Sequence, residues 1–413
     1  MIKFSEYLTE EKNTHMMHLE DQVIYGGVNG CRQAILALRS LRDMLSSSSK
    51  ASTDVTVKWD GAPAVVCGED PADGKFFVAK KGAFNKNPKI YKSHSDIDAD
   101  IPSADLNAKM KIAFDELSKL GIKGVVQGDI MFTSDDLKKE KIDGNDYITF
   151  HPNTIVYAVP LSSDEAKRIR QARIGVVFHT RYEGKDFQSM RASFGVSVNK
   201  FRKVKSVWAQ DAGLRDLSGS ATLTQKETDD VTKALSDAGR IFQKIAGTTL
   251  RQIEQNQDLA KMIETYNNTY VRANKPIGNT TAHVNGLIKW INQKYQKEID
   301  KRKSEKGKTA QAAKRDEFLK FFSQSNKKNL KLMFDLQKAI VVAKLKIINK
   351  LNKINTIDTF VKTKNGFKVT GAEGFVAIDK IKGGAVKLVD RLEFSANNFS
   401  PDIIKGWDTP SRS

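Results

Sequence analysis

The chain divides by the period of its apolar positions. Ala34, Ile35, Leu38, Leu41 and Leu45 recur every three or four residues, which predicts a helix over about Val28–Leu45. Ser46-Ser47-Ser48-Ser49 breaks that pattern and reads as a linker. From Val55 to about Val207 the period shortens to two. The runs DVTVKW, APAVVCG, KFFVAKKG, GVVQGDIMF, TIVYAV and IGVVFHTRY predict strands, and Asp73-Gly74 marks a hairpin. One helix, Leu106–Leu120, is expected to interrupt them. Residues 222–355 return to a helical period. Thr224 and Glu227 have capping-box spacing and open a helix through Val231, Leu235, Ile241 and Ile245. Further helical periods run through Leu259, Met262 and Ile263, then Val284, Leu287, Ile288, Ile291 and Tyr295, and finally from Leu330 to about Ile354. After Thr356 the strand texture resumes in DTFVKT, GFKVT, EGFVAIDK and GGAVKLVD. This order predicts an α+β fold in which one αβ domain is split by an all-helical insertion.

Composition narrows the partners. The 413 residues are 39% apolar and 28% charged, a globular balance of two to three domains on length. No run of 18 apolar residues predicts a membrane span, and Met1–Lys12 lacks the apolar stretch of a secretory signal. Cys31 and Cys67 are the only cysteines, which excludes a disulfide scaffold and a four-cysteine zinc site. The histidines, His15, His18, His94, His151, His179 and His283, show no zinc-site spacing. Lys and Arg number 68 against 49 Asp and Glu, a net +19. Residues 301–350 alone hold 15 basic and 4 acidic side chains, a local +11. Such an imbalance points to nucleic acid, with Lys327, Lys328 and Lys331 as candidate contacts.

Candidate chemistry lies in the β-rich segments. Lys58-Trp59-Asp60-Gly61 puts a lysine at a strand end, immediately before a turn. A lysine becomes nucleophilic when nearby positive charge or desolvation lowers its pKa. Gly128-Asp129-Ile130, Ile174-Gly175-Val176-Val177-Phe178, Glu373-Gly374-Phe375-Val376 and Val386-Lys387-Leu388 follow in order. This series resembles the covalent nucleotidyltransferase superfamily of ATP-dependent DNA ligases, RNA ligases and mRNA capping enzymes, over about 55–210 and 360–392. Lys58-x-Asp60-Gly61 matches its motif I, Gly128-Asp129-Ile130 motif III, Phe178 motif IIIa, Glu373-Gly374-Phe375-Val376 motif IV and Val386-Lys387-Leu388 motif V.

The resemblance implies ATP and Mg²⁺ as cofactors and a ligase-type domain of antiparallel sheets with flanking helices. Lys58 would attack the α-phosphate to give a lysyl-adenylate and pyrophosphate, and Lys387 would neutralise α-phosphate charge. Glu373 and Asp129 would hold metal or ribose. Asp60 and Gly61 would belong to the nucleotide site, Phe178 would stack on adenine, and Lys81 would contact the nucleotide or a 5′-phosphate. Phe178 as a buried strand residue and Lys81 as a surface lysine are the competing expectations. Three positions depart from the superfamily. Pro63 stands where DNA ligases carry Arg, Asp129 replaces Glu, and Val389 replaces a second motif V lysine. About 23 residues follow motif V, too few for the OB domain of DNA ligases and capping enzymes, which brings the chain nearer to RNA ligases.

MIKFSEYLTE resembles the capsid-targeting propeptide of internal head proteins of large tailed bacteriophages. There a prohead protease cuts after Leu/Ile-x-Glu, and Leu8-Thr9-Glu10 fits. The expected organisation is a propeptide at 1–12, a helical segment and linker at 13–50, a nucleotidyltransferase domain at 51–215 and 356–413, and the basic helical insertion at 216–355. The expected function is ATP-dependent joining of polynucleotide ends, RNA favoured over DNA. It would act in the cytoplasm of an infected bacterial host or packaged in the virion, not secreted. The alternative is a catalytically weak or inactive relative that binds nucleic acid in a phage head.

Overall fold

Alternation of period two and period 3.6 along one chain requires sheets and a helical body to share a boundary. A computed structural model describes residues 17–46, 53–213, 222–352, 357–371, 373–379 and 385–406. The 1–12 stretch, with its cleavage position after Glu10, and Ser47–Ser49 of the expected linker lie outside the described residues.

The first elements are α1 (Gln22–Tyr25) and α2 (Gly27–Leu45). Then come β1 (Thr53–Lys58), β2 (Ala64–Glu69), β3 (Phe76–Ala79), α3 (His94–Asp100), α4 (Ala104–Leu117), β4 (Val125–Thr133), β5 (Lys138–Ile142), β6 (Asn145–Phe150) and β7 (Ile155–Pro160). They continue with α5 (Asp164–Gln171), β8 (Ile174–Glu183), β9 (Arg191–Phe194) and β10 (Val207–Asp211). The helical block holds α6 (Gln225–Phe242), α7 (Gly247–Gln255), α8 (Gln257–Arg272), α9 (Thr280–Asp300), α10 (Glu305–Lys320) and α11 (Gln324–Leu351). The chain closes with β11 (Asp358–Thr363), β12 (Gly366–Val369), β13 (Gly374–Asp379), β14 (Ala385–Leu388), α12 (Arg391–Phe399) and β15 (Ile403–Ile404).

The predicted elements are present, and Thr224 and Glu227 form the capping box on α6. The single helix expected within the strand-rich segment has two companions, α3 and α5. Each is short and mostly charged: α3 buries only Ile97, and α5 only Ala166 and Ile169. Their signals are the caps, Ser93 accepting from the Asp96 amide and Ser163 from the Ala166 amide. The β5–β6 hairpin was also hidden, because KKEKI is a lysine-rich free edge. Asp143 and Gly144 turn it, with φ of 48° and 85°.

The described residues form three sheets. One is three-stranded, ordered β1-β13-β14. The second runs β10-β8-β4-β2-β3 with β9 on β8, and the third β12-β11-β7-β6-β5 with β15 on β11. All pairings are antiparallel except β10 with β8. The fold is therefore α+β with largely antiparallel sheets.

The helical block does not build a core by itself. Leu38 and Leu41 of α2, Val231 and Leu235 of α6, Leu287 of α9 and Phe334, Ile340 and Ile347 of α11 share one core with Val55, Phe375 and Leu388. The stretches expected separately at 13–50 and 216–355 thus make one helical body, seated on one face of the three-stranded sheet. Deep in it, Lys344 Nζ of α11 pairs with Glu20 Oε2 at 2.7 Å, their side chains 1% and 7% exposed. Burial works to raise the Glu20 carboxyl, but the Lys344 ammonium, helped by His18, overcomes it and holds the group below the usual range. Nearby, Arg391 donates to both Asp21 oxygens at 3.0 and 3.1 Å, tying the start of α12 to the same segment.

A buried pair of this kind costs most when half of it is removed. Lys344→Met should destabilise the chain by about 3–5 kcal/mol, read from the urea midpoint. Glu20→Leu added to Lys344→Met should recover most of that loss. A double variant as unstable as the single one would mean that the pair fixes the α11 position by more than its charge.

Candidate active site

Strand alternation sorts the three-stranded sheet into two faces. Phe375 and Ala377 enter the helical core, so Gly374 and Val376 face the other way. Thr56 lies opposite Val376, Val376 opposite Lys387, and Lys58 opposite Gly374. Cross-strand partners share a face, so Lys58 and Lys387 rise from the same outer surface, with β13 between their strands. Glu373 stands one residue before β13, and its Oε1 accepts from Lys58 Nζ. Its Oε2 is buried without a hydrogen-bond partner among the described residues. Gly374 has φ +151°, and a Cβ there would meet Val389 Cγ2 at 2.5 Å and the Leu388 carbonyl at 2.8 Å. Val389 is buried against that glycine, so the expected second motif V position carries packing instead of charge.

The turn after Lys58 is clamped. Asp60 accepts from Asn153 Nδ2 at 2.8 Å and from the Thr154 and Ile155 amides at 2.8 and 3.0 Å, while its own amide donates to Tyr157 Oη at 2.7 Å. Both carboxylate oxygens are engaged by residues 153–155, so Asp60 anchors the turn that carries Lys58. Gly61 allows a close crossing, since a Cβ there would sit 2.5 Å from Asp129 Cβ and 2.8 Å from Met131 Sδ. Trp59 stacks on Tyr157 at 5.0 Å.

Asp129 of β4 lies on the site side of its sheet, with His179 Nε2 of β8 3.6 Å from its Oδ2. Phe178 points to the opposite side. It is fully buried with Val176 and Ile130 and meets Phe201 edge-on at 5.3 Å. The expectation of adenine stacking is corrected here: period two sends residues 178 and 179 to opposite faces, and the half-exposed His179 is the ring beside Asp129.

The remaining groups act on one another electrostatically. Burial pushes the Glu373 carboxyl up to about 7; Lys58 opposes that shift, and the charges of Asp60 and Asp129 add to it. Burial depresses the Lys387 ammonium, and the positive charges of Lys58, Arg391 and Lys81 depress it further against Glu373. Lys81 is exposed in a 3₁₀ turn at Lys81–Phe84. Lys58, Asp129, Glu373, Lys387 and Lys81 therefore converge from five separate stretches, and the three lysines among them suit an anion such as a phosphate. No group of three His, Cys, Asp or Glu among the described residues forms a metal cage. Asp129 and the open Oε2 of Glu373 are the oxygens on offer, and Mg²⁺ characteristically takes one or two carboxylates and keeps waters. Beneath Glu373 a narrow cleft is lined by Ile348 and Asn352 at the end of the helical body and by Phe394 and Asn397 of α12.

The candidate nucleic-acid contacts separate. Lys328 is exposed and Lys327 half-buried in the first turn of α11, whereas Lys331 pairs with Asp335 at 2.6 Å.

The model of one protein family, described as a family of unknown function (DUF6267), matches residues 13–402. The chain belongs to that family. No curated protein and no solved structure matches it. The DUF6267 match runs through the helical body and all three sheets, so the family unit contains both the Lys58 face and the helices that support it.

The two aromatic neighbours on β8 should respond differently to truncation. Phe178→Ala should cost about 3–5 kcal/mol in urea unfolding, as expected for an emptied core site. His179→Ala should stay within about 1 kcal/mol of wild type. Equal tolerance at both positions would place the Phe178 ring outside the core.

Proposed function

We propose that the chain is an ATP-dependent covalent nucleotidyltransferase of the ligase type that joins polynucleotide ends, RNA favoured over DNA. The observation that carries this reading is the meeting of Lys58, Glu373 and Lys387 on one sheet face, with Lys81 and Asp129 beside them. The Lys58 amine would attack the α-phosphorus of ATP. An Nζ–P bond forms, the bond from the α-phosphorus to the bridging oxygen breaks, and pyrophosphate leaves with the electron pair. Glu373 accepts the amine proton, a role that suits a carboxyl titrating near 7 beside that nitrogen. Lys387 and Lys81 hold the charge that develops on the α-phosphate. Mg²⁺, held through Asp129 and the open oxygen of Glu373, would supply further neutralisation of the phosphates.

One observation favours the second reading, an inactive nucleic-acid-binding relative carried in a phage head: Val389 packs on Gly374 where the ligase pattern has a lysine. Under that reading the chain is cut after Glu10, and its mass in particles would show the loss of the first ten residues.

Incubation with ATP labelled on the α-phosphate, followed by a denaturing gel, separates the two. Wild type should keep the label, the γ-labelled nucleotide should give none, and Lys58→Ala should take up neither while remaining folded. The labelling rate should rise with pH through about 7, because the acceptor carboxylate must be ionised, and raising Mg²⁺ should move that inflection to lower pH. Glu373→Gln should remove the inflection and most of the rate. An unlabelled wild type would leave the binding reading.

A further inference from the structure

Several of the cations concentrated in residues 301–350 are already committed within the fold. Lys344 and Lys350 pair with Glu20 and Glu227, and Lys331 pairs with Asp335. Lys338 donates to the Gly278 carbonyl. Lys308, Lys320 and Arg315 pair along α10 with Glu305, Glu317 and Asp316. Of the cations without an acidic partner among the described residues, three cluster at the turn from α9 into α10, while Lys314, Lys327, Lys328 and Lys346 stand in ones and twos along α10 and α11. Residues 301–308, KRKSEKGK, carry five Lys and Arg against one Glu, and Arg302, Lys303 and Lys306 are exposed or half-exposed there.

The helix behind that turn is unusual in this body. α10 is 16 residues long and buries none of them. It leans on α9 through Phe318 against Tyr295, ring centroids 5.7 Å apart. Seven of its residues are half-buried and the other nine face solvent, so one whole side of the helix is open. The large exposed apolar side chains among the described residues are Leu36, Val342, Val369, Phe399 and Ile404, and none lies on α9, α10 or the turn. A protein partner would need an apolar centre, and a membrane surface an apolar anchor. Charge without either suits a phosphate backbone.

We infer that the tip of the α9–α10 arm is a polynucleotide-backbone contact, made by Arg302, Lys303 and Lys306. This places the contact at the α9–α10 turn, where three such cations lie within five residues, in preference to the start of α11, where Lys331 is paired with Asp335 and only Lys327 and Lys328 are left. It does not rest on the Lys58 chemistry, and an inactive binding protein would use the same arm.

The test uses the full chain and fluorescein-labelled single- and double-stranded RNA and DNA, with affinity followed by anisotropy across a salt series. Arg302→Gln/Lys303→Gln/Lys306→Gln should weaken binding about tenfold or more at low salt. It should also lower the salt slope by about one unit for each phosphate no longer neutralised. Thermal midpoint and α-labelled adenylylation should stay at wild-type values, so a defect in nucleic-acid binding alone separates this surface from the Lys58 site. Lys331→Gln, as a paired control, should change neither affinity nor slope. The four probes assign RNA or DNA, single- or double-stranded. An unchanged slope in the triple variant overturns the proposal, as does wild type binding phosphatidylserine vesicles but none of the four nucleic acids.

Discussion

The pairing of β1 with β13 is the constraint on which the rest depends. It brings Lys58 beside Glu373, 315 residues further along the chain. Its two faces are used for different purposes. Val55, Phe375 and Ala377 bury one face under the helical body, and Lys58 and the neighbouring Lys387 stand on the other. Because strand side chains alternate strictly, a slip of β1 by one residue against β13 would place Lys58 opposite Phe375 and send it into the helical core. The apolar residues on the buried face therefore specify the position of Lys58 and Lys387 on the other. The long helical segment between the two halves adds no ambiguity, because it packs on the sheet whose strands it separates.

Burial sets the electrostatics of that face. Glu373 is held by Lys58 on one oxygen and by nothing on the other, in a place where a carboxylate is poorly solvated. Folding tolerates this because the Lys58 ammonium offsets part of the desolvation and because a carboxyl near 7 can take up a proton. Asp60 shows the opposite arrangement. Two backbone amides and the Asn153 side chain satisfy it, and it anchors the turn. Two acidic residues close in space thus differ in role because one is saturated with donors and the other is not.

Much of this was legible in the sequence, and the limits have physical causes. Period two and period 3.6 placed β1, β4, β8, β13 and β14, and the capping box opened α6 where expected. The order of Lys58, Asp129, Glu373 and Lys387 anticipated residues that do converge. Alternation along IGVVFHTRY places Phe178 and His179 on opposite faces but cannot say which face looks inward. That depends on α4, which covers the Phe178 side. Nor could local pattern show that Lys344 and Lys350 are consumed by Glu20 and Glu227, more than a hundred residues away in each case. Net charge over a window counts such lysines as surface, and only tertiary pairing removes them.

The helical body therefore does more than interrupt the αβ elements. Its longest helix, α11, is fixed beyond its midpoint by Lys344 and ends at Ile348 and Asn352 in the cleft beneath Glu373. α12 closes the other side of that cleft with Phe394, whose ring centroid lies 5.9 Å from Lys58 Nζ, and is tied through Arg391 to Asp21. Glu20 and Asp21 are consecutive, so one short N-terminal turn holds both walls of the cleft at once. Any change that loosened this turn would move Phe394 and Asn352 together relative to Glu373. The geometry around the candidate nucleophile is thus set from outside its own sheet, by two ion pairs that the strand pattern alone does not contain.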